Sequence, residues 1–222
     1  MMKKTLISMA CAAAMAAPAA HAELSANIGV TSDYLWRGVT QSGHEAAVSG
    51  GVDYAHDSGF YAGIWTSTLG GDNQELDGYL GFAGEYNDLG YDVGYIYYGY
   101  LNADDWDFSE IYGSLSWMWL SGGINYTVSG QADDNSRFIE GDIYYFASAT
   151  FDLETVSPEL SGWGVGFTVG YYDFEANSDF DYTQLQMDIT KSAGDFGDFT
   201  LTVANEDYTD DTSLAVSWSK TF

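Results

Sequence analysis

From Glu23 onward apolar and polar residues alternate with a period of two, segment after segment, and turn residues break the pattern at regular intervals. That is the signature of strands with one apolar face, and almost no helical periodicity accompanies it. Ala26, Ile28 and Val30 alternate with Ser25, Asn27, Gly29 and Thr31, and Val48, Val52 and Tyr54 with Ser49, Gly51 and Asp53. Leu76, Leu80 and Phe82 oppose Asp77, Tyr79 and Glu85; Tyr91, Val93, Tyr95 and Tyr97 oppose Asp92, Gly94 and Tyr98; Ile111, Leu115, Trp117 and Trp119 oppose Glu110, Tyr112, Ser114 and Ser116. Later apolar sets are Ile124, Tyr126, Val128; Ile139, Ile143, Tyr145, Ala147; Trp163 to Tyr171; Leu185, Met187, Ile189; Phe199, Leu201, Val203; and Leu214, Val216, Trp218. Residues 60–68 (FYAGIWTST) read as a strand whose two faces the pattern does not rank. The expected total is twelve strands of about 9–11 residues, the length that crosses a bilayer at a tilt and longer than the ~5–6 of soluble sheets.

The connections alternate in length. Short turns are expected at 56–59, 87–90, 120–123 and around 192–198, and longer polar loops near 35–45, 69–75, 101–107, 129–138, 173–181 and 204–211. Residues 152–162, around Pro158, are the one long connection on the short-turn side. Short turns on one rim and long loops on the other is the pattern of bacterial outer-membrane barrels. Closure follows from bilayer physics, because an open sheet would leave unpaired N–H and C=O groups in hydrocarbon. The expected fold class is therefore all-β: a single antiparallel up-and-down transmembrane β-barrel of about twelve strands, the even count placing both termini on the periplasmic rim. Trp36, Tyr54, Tyr86, Tyr91, Trp106, Trp119, Tyr145, Trp163, Tyr171 and Trp218 are candidates for two interfacial aromatic girdles. Periodicity alone also fits a secreted β-sandwich, whose apolar face would be its core.

The first residues read as an address. Lys3 and Lys4 make a basic start, Thr5 to Ala17 an uncharged small-and-apolar stretch, and Ala20-His21-Ala22 a cleavage site. A Sec signal peptide over 1–22 leaves a barrel over 23–222; cleavage before Cys11 as a lipoprotein is the alternative, with Ser8-Met9-Ala10 a poor match to the box that requires. Cutting after Ala22 removes the only cysteine, so neither disulfides nor thiolate metal sites remain. No later apolar run reaches the ~18 residues of a membrane helix.

Composition sharpens the picture. Lys and Arg number 6 against 33 Asp and Glu, a net charge of -27 that loss of Lys3 and Lys4 takes to -29. Such a chain repels phosphate backbones, which excludes a nucleic-acid partner. Aromatic residues make up 17% of the chain, which separates it from disordered acidic sequences.

Residues 32–42 (SDYLWRGVTQS), 47–54 (AVSGGVDY), 58–67 (SGFYAGIWTS), 75–98 (ELDGYLGFAGEYNDLGYDVGYIYY), 109–114 (SEIYGS) and the SKTF ending together resemble the TorF-type porin family of proteobacteria. Where that family often has a proline, this chain has Ala46-Ala47. The resemblance implies an outer-membrane barrel with a pore-like role and supplies no catalytic residues. The final strand ending in Phe222 also resembles the signal read by the outer-membrane assembly machinery, although Lys220 stands where that signal is usually apolar.

By parity Asp53, Glu85, Asp92, Glu110, Glu140, Asp142 and Asp188 face away from the apolar side, hence into a barrel lumen. The cations after residue 22 are Arg37, Arg137, Lys191 and Lys220, too few to neutralise those acids. The expectation is an outer-membrane porin for passive diffusion of small hydrophilic solutes, cation-preferring because low-dielectric walls focus the field of its carboxylates. A plugged lumen, its carboxylates paired with Tyr, Ser and Thr hydroxyls, is the structural counterpart. It goes with the alternative function, a non-conducting structural or adhesive barrel acting through acidic surface loops. Arg37, at the top of the first strand, could fold inward to form a constriction or bond loop carbonyls instead. The loops carry Asp72, Glu75 and Asp77; Asp104, Asp105 and Asp107; Asp133 and Asp134; Asp173, Glu175, Asp179 and Asp181; and Glu206, Asp207, Asp210 and Asp211. Without the spacing of a calcium loop these are solvated acids first, though Ca²⁺ or Mg²⁺ could bridge them to lipopolysaccharide phosphates. No cofactor is expected. His44 and His56 fall on opposite rims, His56-Asp57-Ser58 is a turn rather than a triad, and no G-x-S-x-G or P-loop occurs, so no enzyme is expected.

Overall fold

The computed structural model describes residues 23–222; the signal peptide and lipoprotein readings concern residues outside that range. Among the described residues there are fourteen strands: β1 (Glu23–Thr31), β2 (Leu35–Trp36), β3 (Val39–Thr40), β4 (Ala47–Ala55), β5 (Phe60–Thr68), β6 (Gln74–Tyr86), β7 (Leu89–Tyr100), β8 (Phe108–Trp117), β9 (Leu120–Gly130), β10 (Ile143–Asp152), β11 (Trp163–Asp173), β12 (Tyr182–Ser192), β13 (Asp198–Glu206) and β14 (Asp211–Thr221). Twelve of them close an antiparallel barrel in which each strand pairs with the next in sequence, and β1 bonds β14 to seal it. The closing register sets Val30 opposite Trp218 and Asn27 opposite Thr221. β2 and β3 form a separate small hairpin.

Closure leaves the apolar face outside. Leu80, Val93, Ile111, Leu115, Phe167, Leu185, Leu214 and Val216 are all exposed on the outer wall. A soluble protein does not present so continuous an apolar surface to water, whereas a membrane barrel must. The sandwich reading falls with it, because a sandwich would bury this face. For β5 the structure ranks what the pattern could not: Phe60 and Ile64 are exposed outside, while Tyr61 and Ser67 are buried inside.

Three local expectations need correction. Trp36 is no girdle residue: it is only 9% exposed and packs inside the barrel, because the short hairpin carries it inward. The hairpin turn expected at 120–123 falls at Met118-Trp119, with Met118 at positive φ, and Gly122 and Gly123 lie within β9. A Cβ on Gly123 would press on the Gly113 carbonyl and the Ser114 side chain, so this glycine serves close strand contact and not the turn. Finally β10 starts at Ile143 instead of Ile139, while β6 reaches up to Gln74, which takes Glu75 out of the expected 69–75 loop and into the wall beside Asp77.

Candidate functional site

The site lies in the barrel interior, and the loop between β1 and β4 builds its centre. Asp33, buried at the start of that loop, accepts hydrogen bonds from Thr40 Oγ1 (2.6 Å) and Ser42 Oγ (3.0 Å) and contacts His44 Nδ1 (2.9 Å). These bonds fold the loop back on itself. At its tip Arg37 (φ 50°) and Gly38 (φ 85°) make a two-residue turn with both φ positive, the geometry that closes a tight hairpin. Tyr182 Oη donates to the Arg37 carbonyl (3.2 Å), and a Cβ on Gly38 would collide with the Gln184 side chain, so the tip is seated against β12.

The Arg37 guanidinium points into the barrel and grips Glu110 with both arms, Nη1 to Oε1 at 2.8 Å and Nη2 to Oε2 at 2.6 Å. Two parallel charge-assisted bonds are the strongest way to pair these groups. A β-bulge at Ser109/Glu110 adjusts the strand there, the device that re-aims a side chain. Glu110 is fully buried, and Asn125 Nδ2 (3.1 Å), Tyr172 Oη (3.3 Å) and Tyr98 Oη (3.4 Å) also donate to it. The guanidinium lies over the rings of Trp36 (4.2 Å) and Tyr144 (4.3 Å). Burial opposes its charge, but Glu110, with Tyr172 and Tyr98, outweighs that and holds it more firmly protonated than in water.

Around this pair the long-loop half of the interior is filled by aromatic rings. Trp36 meets Tyr98 edge-on at 5.7 Å, Phe138 at 5.7 Å and Phe108 at 6.1 Å, while Tyr172 stacks on Phe174 at 4.2 Å. The short-turn half is a tyrosine–carboxylate lattice. Tyr79 Oη and Asn27 Nδ2 (3.1 Å) donate to Asp53; Tyr61 Oη donates to Asp92 (2.7 Å) and touches Tyr112 Oη. Asp188 accepts from Thr202 Oγ1 (2.6 Å) and Gln186 Nε2 (2.9 Å). Glycines make room for the rings: a Cβ on Gly63, Gly81, Gly94 or Gly170 would strike Tyr79, Tyr61, Tyr112 or Tyr144 respectively.

Of the residues assigned to the lumen from parity, Asp53, Asp92, Glu110 and Asp188 thus lie on the inner face with these partners, and Arg37 meets Glu110. Glu85 is exposed at the short-turn rim, the last residue but one of β6. Glu140 is exposed in the loop before β10, off the strand on which its parity depended. Asp142 is buried but organises loops: it accepts from the backbone N–H of Phe138 (2.6 Å), Ile139 (3.1 Å) and Glu175 (2.9 Å). Burial pushes its carboxyl above the ordinary aspartate value, and those three amides only partly offset it. Sequence reasoning missed Trp36, Tyr98, Tyr144 and Tyr172, although one signal was present: Tyr98, Tyr144 and Tyr172 occupy the positions that should be polar. His56 Nδ1 lies 2.9 Å from Ser58 Oγ in an exposed turn.

A closed twelve-stranded barrel, apolar outside and polar-aromatic within, has the architecture of outer-membrane porins. The sequence matches a family model described as a bacterial protein of unknown function (Gcw_chp) over residues 15–219, and the chain belongs to that family. Among solved structures it is similar to the KdgM porin, with a TM-score of 0.61 at 7% identity over 89% of this chain and 98% of that one. KdgM in complex with disordered oligogalacturonate gives 0.59 at 6% identity over 90% and 97%. A structure from work on in-meso crystallization of membrane proteins gives 0.58 at 9% over 91% and 83%. No curated protein matches the chain in sequence.

Proposed function

We propose that this protein is an outer-membrane porin of restricted bore, of the TorF type its motifs resemble, passing small neutral or cationic hydrophilic solutes by diffusion. The observation that carries this reading is the Arg37–Glu110 pair at the tip of an inward-folded hairpin, inside a barrel of porin architecture. The carboxylates of Asp53, Asp92 and Asp188 line the remaining interior, and a net charge of -27 for the whole chain, more negative still without Lys3 and Lys4, favours cations. A polyanion such as the oligogalacturonate of the KdgM complex fits this electrostatic field badly. The long-loop acids face the outside of the cell in this reading, where Ca²⁺ or Mg²⁺ can link them to lipopolysaccharide. Export through the Sec pathway and insertion by the outer-membrane assembly machinery precede this.

One observation favours the alternative, a non-conducting structural or adhesive barrel: Tyr172 and Glu110 are completely buried within the aromatic filling. Planar-bilayer recording on refolded mature protein across a KCl gradient separates the two. A small, steady conductance with a cation-selective reversal potential is expected. Anion selectivity would overturn the carboxylate-lined lumen, and silence from folded protein would establish the non-conducting reading.

A further inference from the structure

We propose that Glu75 and Asp77 form a site for one divalent cation of the Ca²⁺/Mg²⁺ class, set into the inner wall near the long-loop rim. Among the described residues the other buried carboxylates are matched by donors: Asp33 by Thr40 and Ser42, Glu110 by Arg37, Asp142 by three amides, Asp188 by Thr202 and Gln186, and Glu206 by the amides of Tyr208 and Thr209. Glu75 and Asp77 differ. Each is only 2% exposed, yet no hydrogen-bond donor of the protein reaches Glu75 Oε2 or Asp77 Oδ1. A buried carboxylate with an unmatched oxygen is costly, and two repelling one another are more so.

The placement suits a shared ion. The two residues are two apart on β6 and therefore on one face, with Cα atoms about 7 Å apart along the strand. Carboxylates leaning toward each other from that spacing can bracket an ion whose bonds are about 2.3–2.6 Å long. Across the register Glu75 lies between Ser67 and Tyr100, and Asp77 between Trp65 and Tyr98, so oxygen donors and ring faces surround the pair. The Tyr34 hydroxyl bonds Glu75, which ties the site to the folded-in loop. Among the described residues every Lys and Arg is engaged elsewhere: Arg37 on Glu110, Arg137 over Tyr208, Lys191 on the Ser161 carbonyl and Lys220 over Phe222. Two negative charges and hard oxygen donors match a divalent alkaline-earth ion, with carbonyls, hydroxyls or water completing its shell. Among the described residues no group of three or more His, Cys, Asp or Glu side chains surrounds a metal position, so the site rests on this pair.

The test uses mature protein refolded in detergent, stripped with EDTA and titrated calorimetrically with CaCl₂, with heat unfolding measured in parallel. Wild type and an outer-loop control, Asp210→Asn/Asp211→Asn, should each take up one Ca²⁺ per chain and unfold at higher temperature with calcium. Glu75→Gln and Asp77→Asn should bind at least about tenfold more weakly, with no calcium-dependent shift. Stoichiometric binding retained in both variants, or no saturable binding by folded wild type, would overturn the proposal. Should the variants not fold, Tb³⁺ replaces them as the probe. Luminescence excited selectively through tryptophan, competed by Ca²⁺ and diminished in Trp65→Phe, is expected, and tryptophan-excited luminescence unchanged in Trp65→Phe would sink the assignment. None of these readouts depends on whether the barrel conducts.

Discussion

Arg37 and Glu110 are an ion pair that neither residue can leave without penalty. Glu110 is fully enclosed, so Arg37→Ala strands a charge in the interior and should destabilise the barrel by about 3–5 kcal/mol in urea unfolding from detergent. Replacing both, as Arg37→Met/Glu110→Leu, should cost less than the sum of the single changes, because no orphan charge remains. Arg37→Lys should behave more like the alanine variant than like wild type, since an ammonium cannot reproduce the two-armed grip. Asp142 makes a different prediction. Its carboxyl titrates above the unfolded value, so the folded state holds the proton more tightly and stability from this group falls as pH rises through that window. Asp142→Asn cannot titrate, so its stability relative to wild type should improve from about pH 4 toward neutrality, and an opposite slope in paired unfolding curves would refute the assignment. Alternation in the sequence placed Glu110 inside, but it could not distinguish an acid that meets solvent from one that meets arginine. That distinction depends on a loop folding back through the lumen, and loops have no periodicity to read.

At the scale of elements the two-residue strands β2 and β3 matter most and were least legible. Strands so short contain no alternation, and tryptophan is as much at home in a membrane girdle as in a core, which is why Trp36 reads as a rim residue. The same limit applies to β5, where Tyr61 and Trp65 point inward and erase the contrast between faces. The barrel strands themselves were legible because lipid outside and a polar lattice inside enforce alternation along nearly every one. Trp36 links the hairpin to the wall through Tyr98 and Phe108 and to the loop between β9 and β10 through Phe138. Trp36→Ala should cost about 3–5 kcal/mol and, if the hairpin narrows the bore, raise single-channel conductance. A conductance unchanged in folded Trp36→Ala would remove the hairpin from the permeation path. In the lower lattice, Gly81→Ala would push on Tyr61 and on the Val93 carbonyl, and should destabilise by about 1–3 kcal/mol through overpacking.

For the whole molecule, membrane residence rests on the outer wall, and depth is the variable that tests it. Leu80 and Val93 lie near the middle of their strands with half their surface exposed, at 50% and 53%. Leu24, at the start of β1, and Phe222, just after β14, lie on the short-turn rim with 72% and 69% of their surface exposed. In water an arginine at any of these places is a surface substitution worth within about ±0.5 kcal/mol. In a bilayer the mid-strand positions face hydrocarbon, so Leu80→Arg or Val93→Arg should destabilise by about 2–4 kcal/mol, against about 0–1 for Leu24→Arg. Reversible unfolding from phospholipid vesicles, read by tryptophan emission, measures the difference. A steep dependence on height along the strand is expected, because only a lipid slab makes the middle of the wall dearer than its ends. Equal effects at all three positions would mean that the exposed apolar wall is covered by something other than a bilayer, and the porin assignment would lose its physical basis.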